Sequence, residues 1–322
     1  MLRHSPYTGT IGDSIYHSPA SSASIVACIK RVLETYSEGS TVVSRLMRLN
    51  SAGTGAAITR GNMNQLSKMV IATVVALGAI GCSPLSPEQK PLKVAGQDVP
   101  PWVFHDKNSN SLSGVFVDLT NAIAKDADLP VQYQVMVFGD LIPALASGKI
   151  DVIATNMAIT PARAQQVDFS NPVYDAPTEV VVVLASDTTA YAGLADLKNF
   201  PVGAQKGSIQ LALLQRVSGF SKIKVYDTLE EAWSAVVSGE IKAAVTSGPD
   251  TIYASKHGRL ANLRVVNSYR SQSPKPRIGI AVRKGNDQLL EKINRSLAKL
   301  EADGTVKAIF VSNGVDDWAP PK

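Results

Sequence analysis

The stretch Gly148-Lys-Ile-Asp-Val-Ile-Ala-Thr-Asn-Met-Ala-Ile-Thr-Pro-Ala-Arg163 holds the most chemistry of any in the 322-residue chain. A strand pattern ends near Thr155. Thr160 then offers a hydroxyl N-cap and Pro161 a pre-set first helical residue, so a helix begins there. Backbone N–H groups left free at such a junction suit an anion. Arg163, in the first turn, adds a planar fork that holds a carboxylate through two charge-assisted hydrogen bonds. A cation at a helix N-terminus is disfavoured by the macrodipole, so helix stability does not account for it. An anionic ligand does, and so does an ion pair with a nearby acid such as Asp168. Spacing alone leaves both open.

No other constellation competes. The only cysteines are Cys28 and Cys82, and His4, His17, His105 and His257 are scattered. There is no CxxC and no His/Cys cluster at metal-ligand spacing. Nor is there a Ser/His/Asp or Cys/His set, a phosphate loop, or a convincing pair of carboxylates. Asp175 and Glu179 follow the Asn171-Pro172 turn and could face inward, but a structural use is expected of them. The reading is therefore of a non-enzyme with no catalytic residue, no metal and no cofactor.

Charge narrows the partners. The net charge is +5, but residues 1–81 hold seven of the 32 Lys+Arg and three of the 27 Asp+Glu, which leaves 25 against 24 for the rest. A near-neutral body has no electrostatic footprint for nucleic acid, and none is expected as a partner. From Met63 the chain runs through Lys68, then Met69 to Ile80 without a charge, then Gly81-Cys82. This is the layout of a secretory signal, and the apolar run is shorter than the roughly 17–25 residues of a membrane-spanning helix. Ala79-Ile80-Gly81-Cys82 resembles a bacterial lipobox, which implies lipid attachment at Cys82 and a membrane anchor of two or three acyl chains. A Cys28–Cys82 disulfide is the alternative use of that thiol. Residues 1–62 are Ser/Thr-rich and unlike a domain. They read as an extension from a start assigned too early, with Met63 the true start, or else as a transit peptide. Ser83–Pro91 reads as a tether.

The elements that must position Arg163 alternate between two grammars. Leu92–Ala95, Val131–Met136 and Asp151–Thr155 are strand-like; Phe116, Leu119 and Ile123 share a helix face, and Leu141–Ala146 is helical up to Gly148. Thr178–Leu184 is β-branched enough to be a buried crossing strand. A second unit repeats the pattern: strand Pro201–Ala204, helix Ser208–Val217 and strand Ile223–Tyr226, then a helix Thr228–Ser238 opened by Asp227 with Glu230 at capping-box spacing, and strand Ala243–Val245. Arg277–Val282 reads as one strand and Asp287–Glu301 as an amphipathic helix. Two such units define an α/β fold of two lobes facing a cleft.

Several of these segments are similar to one family. Gly114-Val-Phe-Val-Asp-Leu119, Leu141-Ile-Pro-Ala-Leu-Ala-Ser-Gly-Lys-Ile-Asp-Val152, Ile159-Thr-Pro-Ala-Arg163 and Val167-Asp-Phe-Ser-Asn-Pro172 resemble the polar amino acid-binding, family 3 members of the periplasmic solute-binding proteins. So do Val202-Gly-Ala-Gln-Lys-Gly-Ser208, Gly239-Glu-Ile-Lys-Ala-Ala-Val245, Ile278–Lys284 and Leu300-Glu-Ala-Asp-Gly-Thr305. The resemblance covers residues 91–312. It implies a type II periplasmic-binding fold with two crossing strands, closing on a ligand by a hinge. It also implies delivery of a small carboxylate-bearing, amino-acid-like solute to an ABC permease in the inner membrane, from the periplasm or cell envelope, by a monomer held to the membrane through a lipid anchor only. On that basis residues 1–62 are an extension, 63–81 the lipoprotein signal and 82–91 the tether. Residues 92–181 and 278–322 make lobe 1, and 182–277 make lobe 2.

By resemblance, Arg163 is the carboxylate-binding arginine, and the backbone N–H groups of Ala158 and Ile209, next to Ser208, complete its site. Phe138 lies against the ligand or packs in the core, Thr155 and Asn156 face the cleft or cap backbone, and Trp102 approaches it, with core packing the expected role of Trp102. Ser247 stands where family members hold the ligand ammonium with an aspartate, and the hydroxyls common at Ala158 and Ile209 are missing. A buried cation without a carboxylate partner is costly. Asp250, three residues on, substitutes only if the loop is shaped differently, so ordinary polar α-amino acids are expected to bind weakly and the preferred ligand to lack a free α-ammonium or to present it elsewhere. A cyclohexadienyl dehydratase-like enzyme and a ligand-presenting sensory receptor are the alternative functions on the same fold.

Overall fold

Hydrophobic runs buried on both faces set the architecture, and the computed structural model describes them over residues 90–318. The signal, most of the tether, Cys28 and Cys82 lie outside the described residues. The first stretch comprises β1 (Leu92–Gly96), β2 (Phe104–Asp106), β3 (Ser111–Ser113), α1 (Val115–Ala127), β4 (Val131–Val135), α2 (Leu141–Ala146), β5 (Val152–Ile153), the single-turn α3 (Pro161–Ala164), β6 (Val167–Phe169) and β7 (Tyr174–Asp175). The second comprises β8 (Val180–Leu184), β9 (Pro201–Gln205), α4 (Ile209–Arg216), β10 (Lys222–Tyr226), α5 (Leu229–Val237), β11 (Ala243–Thr246), α6 (Gly248–Lys256) and β12 (Leu263–Val265). β13 (Arg277–Ile278), β14 (Ala281–Arg283), α7 (Asp287–Ala302) and α8 (Thr305–Ser312) follow.

Two five-stranded sheets result, ordered β4-β1-β5-β14-β6 and β10-β9-β11-β8-β12. They share one pattern of directions. Three strands run parallel, and the last two reverse in turn. Each sheet is covered on both faces. In the second, Val181 and Val183 pack with Val202, Leu211 and Leu214, while Val182 packs with Leu229, Trp233 and Val236. A strand flanked by helices on both sides needs apolar side chains at every position, which explains the unbroken Val180–Val183 run. In the first sheet Val94 and Val152 face Phe116, Leu119 and Ile293, and Ala95 and Ile153 face Leu141 and Leu145.

Two segments cross between the sheets. β7 pairs antiparallel with β13, and Ala176 N–H donates to the Pro276 carbonyl at 2.8 Å. The first crossing runs through residues 174–179, so β8 lies wholly within the second sheet instead of forming the crossing itself. Glu179, 5% exposed, accepts hydrogen bonds from the hydroxyls of Tyr269 (2.8 Å), Ser271 (2.6 Å) and Ser273 (3.4 Å) on the return segment. Asp175 is exposed. Neither acid lines the cleft described below, and Glu179 has the structural use expected of it.

Three local readings are corrected. Arg277–Val282 is two strands in different sheets, because the chain must leave the crossing at Gly279 before joining the first sheet. The capping box of α5 is Thr228 with Glu231, one residue later than Asp227 with Glu230. The Thr228 hydroxyl accepts the Glu231 N–H at 3.1 Å, and the Glu231 carboxylate takes both the Thr228 and the Asp227 N–H. The helix carrying Arg163 has only four residues, too short for a macrodipole to matter. What holds it is the expected Thr160 cap, whose Oγ1 accepts the Arg163 N–H at 3.3 Å. Among the described residues no helix is long and apolar enough to cross a membrane.

Gly248 fixes how α6 meets the crossing. A Cβ there would stand 2.0 Å from the Thr178 carbonyl oxygen, a backbone atom that cannot move aside alone. Gly248→Ala is expected to lower stability by about 1–3 kcal/mol, the usual cost of overpacking, read as a lower midpoint in urea unfolding.

Candidate ligand-binding cleft

Between the two sheets lies a cleft that encloses about 530 Å³ of empty space, open solvent at its mouth included. All nine residues singled out from the sequence line it: Trp102, Phe138, Thr155, Asn156, Ala158, Arg163, Ser208, Ile209 and Ser247. Gln97, Val99, Gln205, Gln210, Pro249, Asp250 and Ile278 line it as well, and of these the sequence points only to Asp250, as a substitute at the ammonium position.

Arg163 is 7% exposed and has no carboxylate partner among the described residues. Its Nη1 donates to the Ala158 carbonyl at 2.7 Å and its Nη2 to the Gly207 carbonyl at 2.9 Å, the second bond passing from one lobe to the other. Its guanidinium carbon lies 5.4 Å from the centre of the Phe138 ring, a cation–π distance. The alternative ion pair with Asp168 does not form, since Asp168 is held by Lys284 and the Gly285 N–H. Burial lowers the Arg163 pKa to about 10, which leaves it charged at neutral pH. Two of its five N–H donors are used, so three remain for an anion.

The backbone beside it is placed by pairing. Ala158 faces Ile278 without exchanging hydrogen bonds, because the flanking bonds run from Ile159 N–H to the Arg277 carbonyl and from Gly279 N–H to the Met157 carbonyl. In such a pair the N–H and carbonyl of Ala158 turn away from Ile278. The carbonyl meets Arg163. Ile209 is the first residue of α4, where an N–H has no intrahelical acceptor. Ser208 caps that helix through its hydroxyl, which accepts the Leu211 N–H at 3.0 Å.

A second polar group spans the lobes. Asp250, 8% exposed, sits in the first turn of α6, behind N-cap Ser247. Residues three apart on a helix share a face, which is how Asp250 reaches the cleft from beside Ser247. Its Oδ1 accepts from Trp102 Nε1 (2.5 Å) and Asn156 Nδ2 (2.9 Å). Asn156 Nδ2 also reaches the Ser247 hydroxyl (3.3 Å), and its Oδ1 takes the Tyr174 phenol (2.6 Å). Trp102 is fully buried and stacks on Tyr174 at 5.1 Å and on Trp318 at 5.8 Å between ring centres. It therefore packs in the core, as expected, and also forms part of the cleft wall. Thr155 supports backbone: its Oγ1 accepts the Gln97 N–H at 3.5 Å. At the mouth Lys206 pairs with Asp140 (3.2 Å), and the positive-φ Gly207 comes so close that a Cβ there would lie 3.1 Å from Gly139 Cα. Among the described residues no group of three or more His, Cys, Asp or Glu could hold a metal ion.

Two αβ lobes, two crossings and a buried, unneutralised cation between them define a protein that captures an anionic solute. Residues 92–313 match the bacterial extracellular solute-binding proteins, family 3, and the chain belongs to this family. It is 29% identical over 270 residues to ABC transporter arginine-binding protein 1 of Escherichia coli, a match covering 79% of this chain and all of that one. Its structure resembles that of an ancestral arginine-binding protein bound to arginine, with a TM-score of 0.63 and 38% identity, covering 69% of this chain and 97% of the other. It also resembles the ancestral amino acid-binding protein AncCDT-1, a precursor of cyclohexadienyl dehydratase, with a TM-score of 0.61 and 30% identity, covering 69% and 94%. The fold is the type II periplasmic-binding fold.

Burial raises the pKa of Asp250, opposed by hydrogen bonds from Ser247, Asn156 and Trp102, while Glu230 adds to the rise. A carboxyl whose folded pKa exceeds its unfolded value binds more protons when folded. Its contribution to stability therefore falls as pH climbs from the ordinary aspartate range, about 3.9, to the raised value. Asp250→Asn removes this penalty. The ligand-free variant is expected to be more stable than the parent at pH 7, with the gap closing toward pH 4, as measured by urea unfolding at both values.

Proposed function

We propose that this chain is the substrate-binding component of an ABC importer, and that it captures an amino acid or amino-acid-like carboxylate by closure of two lobes. The observation that carries this reading is Arg163, buried and without an acidic partner in a cleft between lobes. A guanidinium leaves water at high cost, and a ligand carboxylate supplies the missing charge. The free N–H groups of Ala158 and Ile209 flank the same anion. Phe138 supports the guanidinium from its face, and Ser208, Thr155, Asn156, Trp102 and Ser247 shape the wall. Because Arg163 also bonds Gly207 in the opposite lobe, binding the anion and closing the cleft are one event.

Lipid attachment at Cys82, a tether to residue 91, lobe 1 from residues 92–181 and 278–322, and lobe 2 from 182–277 belong to the same reading. They place a monomer at the outer face of the membrane beside the permease. The lipobox-like Ala79-Ile80-Gly81-Cys82 supports the anchor. The chain works by binding without chemistry: arogenate and prephenate incubated with it should be recovered unchanged. Arg163→Ala is expected to weaken every carboxylate ligand by at least about 100-fold, the scale of losing a buried charge pair, as measured by calorimetry. Undiminished affinity in that variant would falsify the site assignment. Cys82→Ser is expected to shift the protein from the membrane to the soluble fraction of expressing cells, a change visible by fractionation and blotting.

A further inference from the structure

Among the described residues that line the cleft, Arg163 and Asp250 alone carry charge. They belong to opposite lobes and make no hydrogen bond with each other. Asp250 is more than nine-tenths buried, yet no Lys or Arg among the described residues pairs with it. Its protein donors are all neutral, and those of Trp102 and Asn156 both go to Oδ1, which leaves Oδ2 without either. Asn156 is itself fixed by the Tyr174 phenol, so the carboxylate is held in place from behind. At the third position of a helix an aspartate is also favoured by the helix dipole. That alone does not require burial in a cleft.

The remaining polar wall is neutral. Gln97 and Gln210, 8% and 7% exposed, make no side-chain hydrogen bond to any described residue, and both line the cleft. Their amides are free to donate to or accept from a ligand.

We infer that Asp250 is the residue that holds a ligand's positive group, and that the cleft selects a zwitterion with one anion, one cation and an uncharged polar side chain. This rests on the reading of Arg163 as the carboxylate site. The charge count decides the class. A ligand with two cations, such as arginine, leaves one of them buried without a partner, and a ligand with two carboxylates does the same against the single Arg163. A side-chain amide finds Gln97 and Gln210 instead. The arginine named for the similar proteins is therefore not the preferred ligand here. The expectation that ordinary polar amino acids bind weakly, drawn from Ser247, is replaced by selection for neutral ones.

The test is calorimetric titration of the full chain with L-glutamine, L-arginine, L-glutamate and glutaramic acid, the last being glutamine without its amino group. In the parent, glutamine should bind at least about 100-fold tighter than arginine or glutamate, a comparison that needs no variant. In Asp250→Asn, with folding checked by circular dichroism, glutamine should lose about 100-fold while glutaramic acid is unchanged. In Arg163→Ala both should be lost. Arginine binding as tightly as glutamine, glutamine unaffected by Asp250→Asn, or no zwitterion of the panel binding would each overturn the inference. Glutamine and glutaramic acid both surviving Arg163→Ala would instead overturn the carboxylate site, and the Asp250→Asn titrations would still be read separately.

Discussion

A guanidinium held out of water without a counter-ion is the constraint around which this protein is organised. Removing an ion from water is expensive, and the fold offsets the cost only in part. Two backbone carbonyls and one aromatic face touch Arg163, and none carries a full negative charge. The carbonyls are there because of strand geometry: Ala158 is turned toward the arginine by its non-bonded pairing with Ile278, and Gly207 by a left-handed turn that only glycine adopts freely. The close approach of Gly139 to Gly207 follows from the same need, since a larger residue would hold the lobes apart at the point where Arg163 bridges them.

The other pole is built on different principles. Asp250 comes from a helix start, Trp102 from the loop after β1, Asn156 from the loop after β5 and Tyr174 from β7. Trp102 and Asn156 thus bring two neutral donors to one carboxylate, and Tyr174 holds Asn156 in turn. Such networks are stiff when fully satisfied and costly when broken. Packing of Trp102 against Tyr174, Phe310 and Trp318 carries that stiffness into the core of the first lobe. The site is anchored to the same aromatic cluster that holds α8 in place.

Much of this could be read from residue order. The Thr160-Pro161 helix start, the alternation of strands and helices and the valine run of β8 are all short-range signals, and the structure reproduces them. Arg163 was legible through the family resemblance, because spacing alone left a ligand and an ion pair with Asp168 equally open. Its freedom from Asp168 was not, because that depends on Lys284, 116 residues distant, taking the acid first. Asp250 was visible only as a nearby substitute for the acid missing at Ser247. Its burial follows from Gly248 packing on Thr178, a contact between segments 70 residues apart. Gln97 and Gln210 gave no signal, since a glutamine beside a helix or strand is ordinarily solvated. The three-residue strands of the β2–β3 hairpin and the Gly-Pro start of α6 were equally silent.

The two crossings share more than a pair of strand bonds. Ala176 joins Pro276, and the Glu179 carboxylate gathers three hydroxyls from the opposite strap. Two ribbons fastened side by side resist twisting far more than they resist flexing in the direction both can follow together. Motion between the lobes is thereby funnelled into one soft coordinate, like a book on its spine. A partner that samples only the outer surface then meets two distinguishable shapes and few intermediates, and it can read occupancy without touching the solute.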